Sequence, residues 1–193
     1  RTAAFSLHPL KNMNVWSDGG VIVTDDEELD NKLRLLRNHG LANRDTVALL
    51  GYNSRLDTIQ AVVGNWLLPK AIEICNKRIE NANYYDRAFD SIKQIGIPPR
   101  PKSHKIVYHL YIVFAENRDE LFQYSIARGI EAKIHYPVPI YRQPALSHLG
   151  FKKGDFPVAD AHADQTITFP CDQYLEREQM DYIIETVQGF YEC

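Results

Sequence analysis

The chain has 193 residues, 45% hydrophobic and 24% charged, which is ordinary globular composition. A formal net charge of -3 gives no global basic field to hold nucleic acid or an anionic membrane, and no apolar run approaches the ~20 residues of a membrane helix. Cys75, Cys171 and Cys193 are odd in number, widely spaced and free of any CxxC pattern, which suggests neither a disulfide framework nor a zinc site and leaves a reducing, cytoplasmic setting as the default expectation.

The N-terminal stretch RTAAFSLHPLKN lacks the apolar run of a signal peptide and begins with Arg rather than Met, so the chain reads as a processed or partial form of a longer protein. In FSLHPLKNMNVWSDGG, Lys11 stands between a proline turn and a glycine pair. GGVIVT (19–24) reads as a short buried strand opened by glycines. In TDDEELDNKLRLLRNHG, Leu29, Leu33 and Leu36 recur at helical spacing, Asp25 and Glu28 suit a capping box, and Gly40 ends the segment. Residues 41–55 form a loop carrying GYNSRLD. From Asp57 a long helical pattern begins, with Ile59, Val62, Val63 and Trp66 as its first apolar stripe; Pro69 kinks or breaks it. Beyond Pro69, Ile72, Cys75, Ile79, Ala82, Phe89 and Ile92 keep a spacing that buries one face.

IGIPPRPKS interrupts regular structure. IVYHLYIVF (106–114) is the clearest strand, apolar on both faces and therefore central in its sheet. NRDELFQYSIARG is a short helix stopped by Gly129. IEAKIHYP is a further strand leading into a proline-rich loop, ITFP a short strand, and EREQMDYIIETVQGFY a closing helix with Met180, Ile183, Ile184, Val187 and Tyr191 on one side. Helices and strands alternate throughout, which predicts α/β or α+β layers.

Lys11 is the first candidate for chemistry. A Schiff-base lysine needs a fixed backbone and attacks a carbonyl as the neutral amine. Lys11 follows Pro9 in a restricted segment, and Ser6, five residues earlier, offers a hydroxyl to a phosphate. By spacing alone, a solvated surface lysine explains Lys11 equally well. Asn53 suits a turn, Arg55 a helix start, and His135 a strand end. Trp16 is expected to anchor the core, His8 to pack in its turn, and His109 to be structural. The seven histidines show no HxxxH or HExxH spacing, so a metal site is not expected.

Taken in order, FSLHPLKN, SDGGVIVTDDEEL, LRNHG, GYNSRLDTIQAVVG and HYPVPIY resemble the DegT/StrS family of pyridoxal-phosphate (PLP) sugar aminotransferases, from Phe5 to the last helix. That family reads SF-x-x-x-K followed by GDGG; Ser6 and Lys11 match, Ser17 replaces the first Gly, and Gly19 and Gly20 are kept. The resemblance implies an α/β, aspartate-aminotransferase-like fold (PLP fold type I). Residues 1–68 would be the C-terminal section of the PLP-binding large domain, and 69–193 the linking helix and a small α+β domain.

It further implies a role for each matched position. Lys11 would be the catalytic lysine that links to pyridoxal 5'-phosphate and shuttles a proton. Ser6 would bind the cofactor phosphate. Asn53, with Arg55 near it, would reach the partner subunit's phosphate in a homodimer with shared active sites. His135 and Tyr136 would line the substrate pocket, with Tyr141 and Arg142 weaker candidates.

The implied reaction moves an amino group from an amino acid, glutamate, to a nucleotide-linked keto-sugar. Lys rather than His at position 11 separates this chain from related dehydratases. In the family, the ring-pairing carboxylate, the ring-stacking group and the phosphate-binding helix precede the lysine, and only ten residues precede Lys11. The chain is therefore expected to hold the C-terminal half of the site. Two other readings stay open: a non-catalytic dimerisation or regulatory module of this fold, and a PLP aminotransferase acting on a carbocyclic ketone.

Overall fold

The computed structural model describes residues 1–192; Cys193 lies outside the described residues. The chain divides into two compact units, Arg1–Ile72 and Glu73–Cys193.

The first unit opens with an antiparallel pair, β1 (Thr2–Ser6) and β2 (Gly20–Thr24), in register from Thr2 opposite Thr24 to Ser6 opposite Gly20. The expectation that 19–24 is buried is not met: all of β1 and four of the five residues of β2 are exposed. β2 pairs with β1 in a two-stranded sheet, so neither strand has a second strand neighbour in that sheet.

Helix α1 (Glu27–Arg37) is capped by Asp26, whose side chain accepts from the Leu29 N–H at 2.9 Å, one residue later than the expected Asp25. Asp25 is committed elsewhere, its N–H donating to the Arg1 carbonyl at 3.1 Å and continuing the strand pairing. Acidic residues fill the first turn of α1 and Arg34 and Arg37 the last, which suits the helix dipole. Gly40 takes φ +71, and a Cβ there would fall 1.7 Å from the Leu49 carbonyl oxygen, so only glycine fits.

After the small hairpin β3 (Leu41–Asn43) and β4 (Thr46–Val47), helix α2 (Thr58–Leu67) starts at Asp57, whose N–H is accepted by the Gln60 side chain at 3.3 Å. As expected, Pro69 interrupts the helix: one 3-10 turn, Leu68–Lys70, precedes α3 (Ala71–Phe89). α2 buries Val63, Gly64 and Leu67, so of the expected stripe of Ile59, Val62, Val63 and Trp66 only Val63 is buried and the other three side chains are exposed.

The second unit is built on a three-stranded antiparallel sheet, β5 (Ile95–Gly96), β6 (Tyr111–Ala115) and β7 (Thr166–Phe169), with β6 in the centre as expected. β6 begins at Tyr111 rather than 106 because Tyr108 turns the backbone at φ +44 while burying its ring. α4 (Arg118–Ala127) follows β6 and stops before Gly129 at φ +77; α5 (Pro157–Gln165) leads into β7, and α6 (Arg177–Glu192) closes the chain.

IEAKIHYP does not form the expected strand. Lys133 alone bridges to Thr168, exchanging hydrogen bonds of 3.0 and 2.8 Å. Pro137 and Pro139 downstream have no N–H to extend the ladder.

The core of the second unit joins α3, the sheet and α6. Tyr85, Phe89, Tyr111 and Phe169 are fully buried or nearly so, with neighbouring ring centroids 4.9–6.3 Å apart, and Met180, Ile183, Ile184 and Val187 of α6 are buried in the same cluster. Two arginines are buried with it. Arg78 donates to the Tyr108 carbonyl at 3.2 Å and to Gln173 at 3.1 Å, and Arg118 donates to the Ala163 and Thr166 carbonyls at 2.9 Å each and to Asp119 at 2.7 Å. Among the described residues no helix is long and apolar enough to cross a membrane.

Candidate functional site

Lys11 lies in the loop that joins β1 to β2, and that loop is fastened at its base and its middle. The Leu7 N–H donates to the Gly19 carbonyl at 2.8 Å, and the Val15 N–H to the Leu7 carbonyl at 3.1 Å. Leu7 and Val15 are buried and act as its apolar anchors. Gly19 is required by this packing, since a Cβ there would meet Val15 Cγ2 at 2.8 Å and Leu56 Cδ1 at 3.0 Å. From α2, Gln60 Nε2 donates to the Asp18 carbonyl at 2.8 Å, and Gly64 lets Val15 approach closely.

Ser6 and Lys11 are tied through His8. The His8 N–H donates to Ser6 Oγ at 3.3 Å, the Lys11 N–H donates to the His8 carbonyl at 2.9 Å, and Asn14 Nδ2 donates to the Lys11 carbonyl at 3.4 Å. Pro9 and these bonds fix the Lys11 backbone, and its side chain is half-buried. Because Ser6 Oγ accepts from His8, its own O–H proton is left to donate outward. His8 is exposed rather than packed, with Nε2 4.0 Å from Asp18. Trp16 is also not the expected core anchor: it is 75% exposed, at φ +67. Val15 fills that place instead, and the left-handed turn at Trp16 sends its ring outward.

Asn53 and Arg55 are exposed in the same unit. Asn53 bridges to Asn38 through the backbone, and Arg55 Nη1 donates to Asn38 Oδ1 at 2.9 Å. Arg55 also lines a cavity of about 560 Å³ with Arg34, Arg37 and Asn31, three guanidinium groups facing one space. Sequence reasoning singled out Arg55 and missed Arg34 and Arg37; their place in the last turn of α1, one helical turn apart, was the available signal.

His135 and Tyr136 lie in the second unit. His135 is half-buried, with Nδ1 3.0 Å from Thr168 Oγ1, and burial, with Lys133 nearby, holds its pKa below the ordinary imidazole value. Tyr136 is 73% exposed. Both line a cavity of about 520 Å³ whose walls are mostly apolar, including Val138, Ile140, Phe151 and Phe156.

Tyr141, the weaker sequence candidate, also lines this cavity, and its hydroxyl donates to Asp160 Oδ1 at 2.6 Å. Asp160, which sequence reasoning missed, is buried. It also accepts from the Gly154 N–H at 2.8 Å and lies 3.6 Å from Arg142. The Tyr141 hydrogen bond, with help from Gly154 and Arg142, holds its carboxyl below the usual range. One carboxylate thus ties together the 3-10 turn at Ile140–Arg142, the turn at Gly154 and α5.

The model of the DegT/DnrJ/EryC1/StrS aminotransferase family matches residues 1–188. The dTDP-3-amino-3,4,6-trideoxy-alpha-D-glucose transaminase of Streptomyces venezuelae is 37% identical over 190 residues, covering 98% of this chain and 50% of that protein. The crystal structure of S. venezuelae DesV in complex with a ketimine intermediate superposes at a TM-score of 0.95 with 36% identity, covering all of this chain and 52% of that one. The PLP form of Spr1654 from Streptococcus pneumoniae superposes at 0.88 with 27% identity, over 99% of this chain and 52% of that one. The chain thus spans about half the length of the curated relatives it matches.

Proposed function

Because the chain belongs to the DegT/DnrJ/EryC1/StrS aminotransferase family, we propose that the whole protein is a PLP-dependent transaminase that moves an amino group from an amino acid, glutamate, to a nucleotide-linked keto-sugar. The observation that carries this reading is the fastened loop of Lys11, with Ser6 at its base. The residues present fit the cofactor: a hydroxyl with a proton to donate suits a phosphate, and among the described residues no carboxylate lies within ion-pair distance of Lys11. When bound, PLP supplies an electron sink that makes the donor's α-proton acidic.

On this reading each residue of the chain has its own task. Lys11 would hold the cofactor and, as a free amine, would move the proton at the donor's α-carbon. Pro9, the buried anchors Leu7 and Val15, and the close approach of Gly19 hold the backbone from which Lys11 extends. Ser6 donates to the phosphate. Asn53 and Arg55 serve the partner subunit's phosphate in a homodimer, with Arg34 and Arg37 adding positive charge to the same space. His135, whose pKa burial lowers, and Tyr136 bound the keto-sugar pocket of the second unit.

The test is spectroscopic. The whole protein mixed with PLP develops a visible absorbance band, and borohydride leaves a stable adduct on the Lys11 peptide. Lys11→Ala loses both, and Ser6→Ala weakens PLP affinity about tenfold, the value of one charge-assisted hydrogen bond. Absence of the band from the wild-type protein sinks the transaminase reading. With the band present, glutamate-dependent amination of nucleotide-linked keto-sugars, and none of carbocyclic ketones, fixes the acceptor class.

A further inference from the structure

We propose that the cleft between α3 and the loop at 100–108 in the second unit is a binding site for a phosphorylated small molecule, separate from the cavity of His135 and Tyr136. The cleft holds about 380 Å³ and shares no lining residue with that cavity. Such a volume lies in the range of small-ligand sites.

Its lining carries one sign of charge. Arg100, Lys102, His104 and Lys105 face it from the loop, Asn76 and Asn83 from α3, and no Asp or Glu lines it. In a chain of net charge -3 this concentration is not a consequence of composition. The cations are held at different depths. Arg100 is fixed at the back: its Nε and Nη2 donate to Asp86 at 3.1 and 3.2 Å, and its guanidinium lies 5.2 Å from the Tyr108 ring centroid. Asp86 compensates that charge, so Arg100 acts as a rigid wall.

Lys105 is aimed by Asn76, whose Oδ1 accepts from Nζ at 3.1 Å. Lys102 has no carboxylate partner among the described residues. Pro98, Pro99 and Pro101 stiffen the loop that carries Arg100, Lys102 and Lys105, which lowers the entropy cost of ordering it around an anion. Two uncompensated ammonium groups, with amide donors from Asn76 and Asn83 beside them, match a dianion with several acceptor oxygens, which a phosphate offers. Ile79, Ile106 and Tyr108 add an apolar wall where an attached organic group can lie.

The site is tested by calorimetric titration of the whole protein with inorganic pyrophosphate and with a nucleoside diphosphate, and by following backbone amide shifts. Binding of both is expected, with the largest shifts at residues 100–108 and affinity falling as salt rises. Lys102→Ala with Lys105→Ala lowers affinity at least tenfold, while Lys102→Arg with Lys105→Arg retains it. Both lysines are exposed, so the fold is not at stake. Tighter binding of the nucleoside diphosphate identifies a nucleotide-borne phosphate as the ligand; equal affinity identifies the free diphosphate. No binding, or binding untouched by the double alanine variant, overturns the proposal.

Discussion

The two units of this chain solve the same packing problem to very different degrees. In the second, a central strand, two flanking strands and helices α3 and α6 enclose a continuous core in which Tyr85, Phe89, Tyr111 and Val113 are wholly buried. In the first, Leu7, Val15, Val63 and Leu67 are the buried large apolar side chains, while Phe5, Ile22, Val23, Ile59 and Trp66 are each at least half exposed. α1 buries no residue at all. A two-stranded sheet is marginal by itself. The residues proposed for cofactor chemistry, Ser6 and Lys11, sit in the first unit. The order of their loop comes from local hydrogen bonds and a few anchors rather than from a deep core.

The contrast makes quantitative expectations. Phe89→Ala in the second unit is expected to cost about 3–5 kcal/mol, because a large ring leaves a cavity that its neighbours cannot fill; urea unfolding followed by circular dichroism measures it. An effect under ~1 kcal/mol would mean that this core is far looser than its ring contacts indicate. Arg118→Ala is expected to cost about 3 kcal/mol, since the Ala163 and Thr166 carbonyls lose their donor in a buried place. In the first unit, Val23→Thr changes stability by no more than about 0.5 kcal/mol, as suits a side chain already half in water. A large loss there would show that β2 is covered in solution. Amide hydrogen exchange reads the same difference without mutation, with β6 and β7 protected and β1 and β2 exchanging early.

Two smaller effects concern titration in the second unit. His135 has its pKa lowered, so below the ordinary imidazole value of about 6.5 the unfolded chain binds the proton first. Its contribution to stability is therefore present above that pH and is lost as pH falls. Asp160 is lowered as well, so its contribution is present above the ordinary carboxylate range and is lost as pH falls through its own titration. Asp160→Asn removes the acid-side loss and frees the 140–156 loop, which is seen as faster exchange at Gly154. Thiol labelling gives the last check. Burial pushes the Cys171 thiol up to about 12, so Cys171 stays unlabelled in the native protein while the half-buried Cys75 reacts.

How much of this was legible in the sequence differs by kind of signal. Helices α1, α2, α3, α4 and α6, the break at Pro69 and the central place of the β6 segment followed from periodicity and punctuation, because these record local backbone preference. The N-cap at Asp26, the early turn at Tyr108 and the missing strand at IEAKIHYP did not follow. The cap depends on a distant group, the Arg1 carbonyl that takes the Asp25 N–H, and the turn at Tyr108 on the burial of its ring in the tertiary core. Burial failed where it was inferred from apolar character alone, as at β2 and Trp16, since burial needs a partner surface as well as an apolar residue.

By itself, the ordered set of short motifs from FSLHPLKN to HYPVPIY determined the family, because the positions of Ser6, Lys11, Gly19 and Gly20 along the chain are a property of sequence alone. Tertiary structure alone decided how the Lys11 loop is fastened, that Asp160 gathers Tyr141, Gly154 and Arg142, and that Arg100, Lys102 and Lys105 face one cleft with Asn76. Those juxtapositions join residues on separate elements, and only the packing of side chains and the closing of hydrogen bonds in three dimensions brings them together.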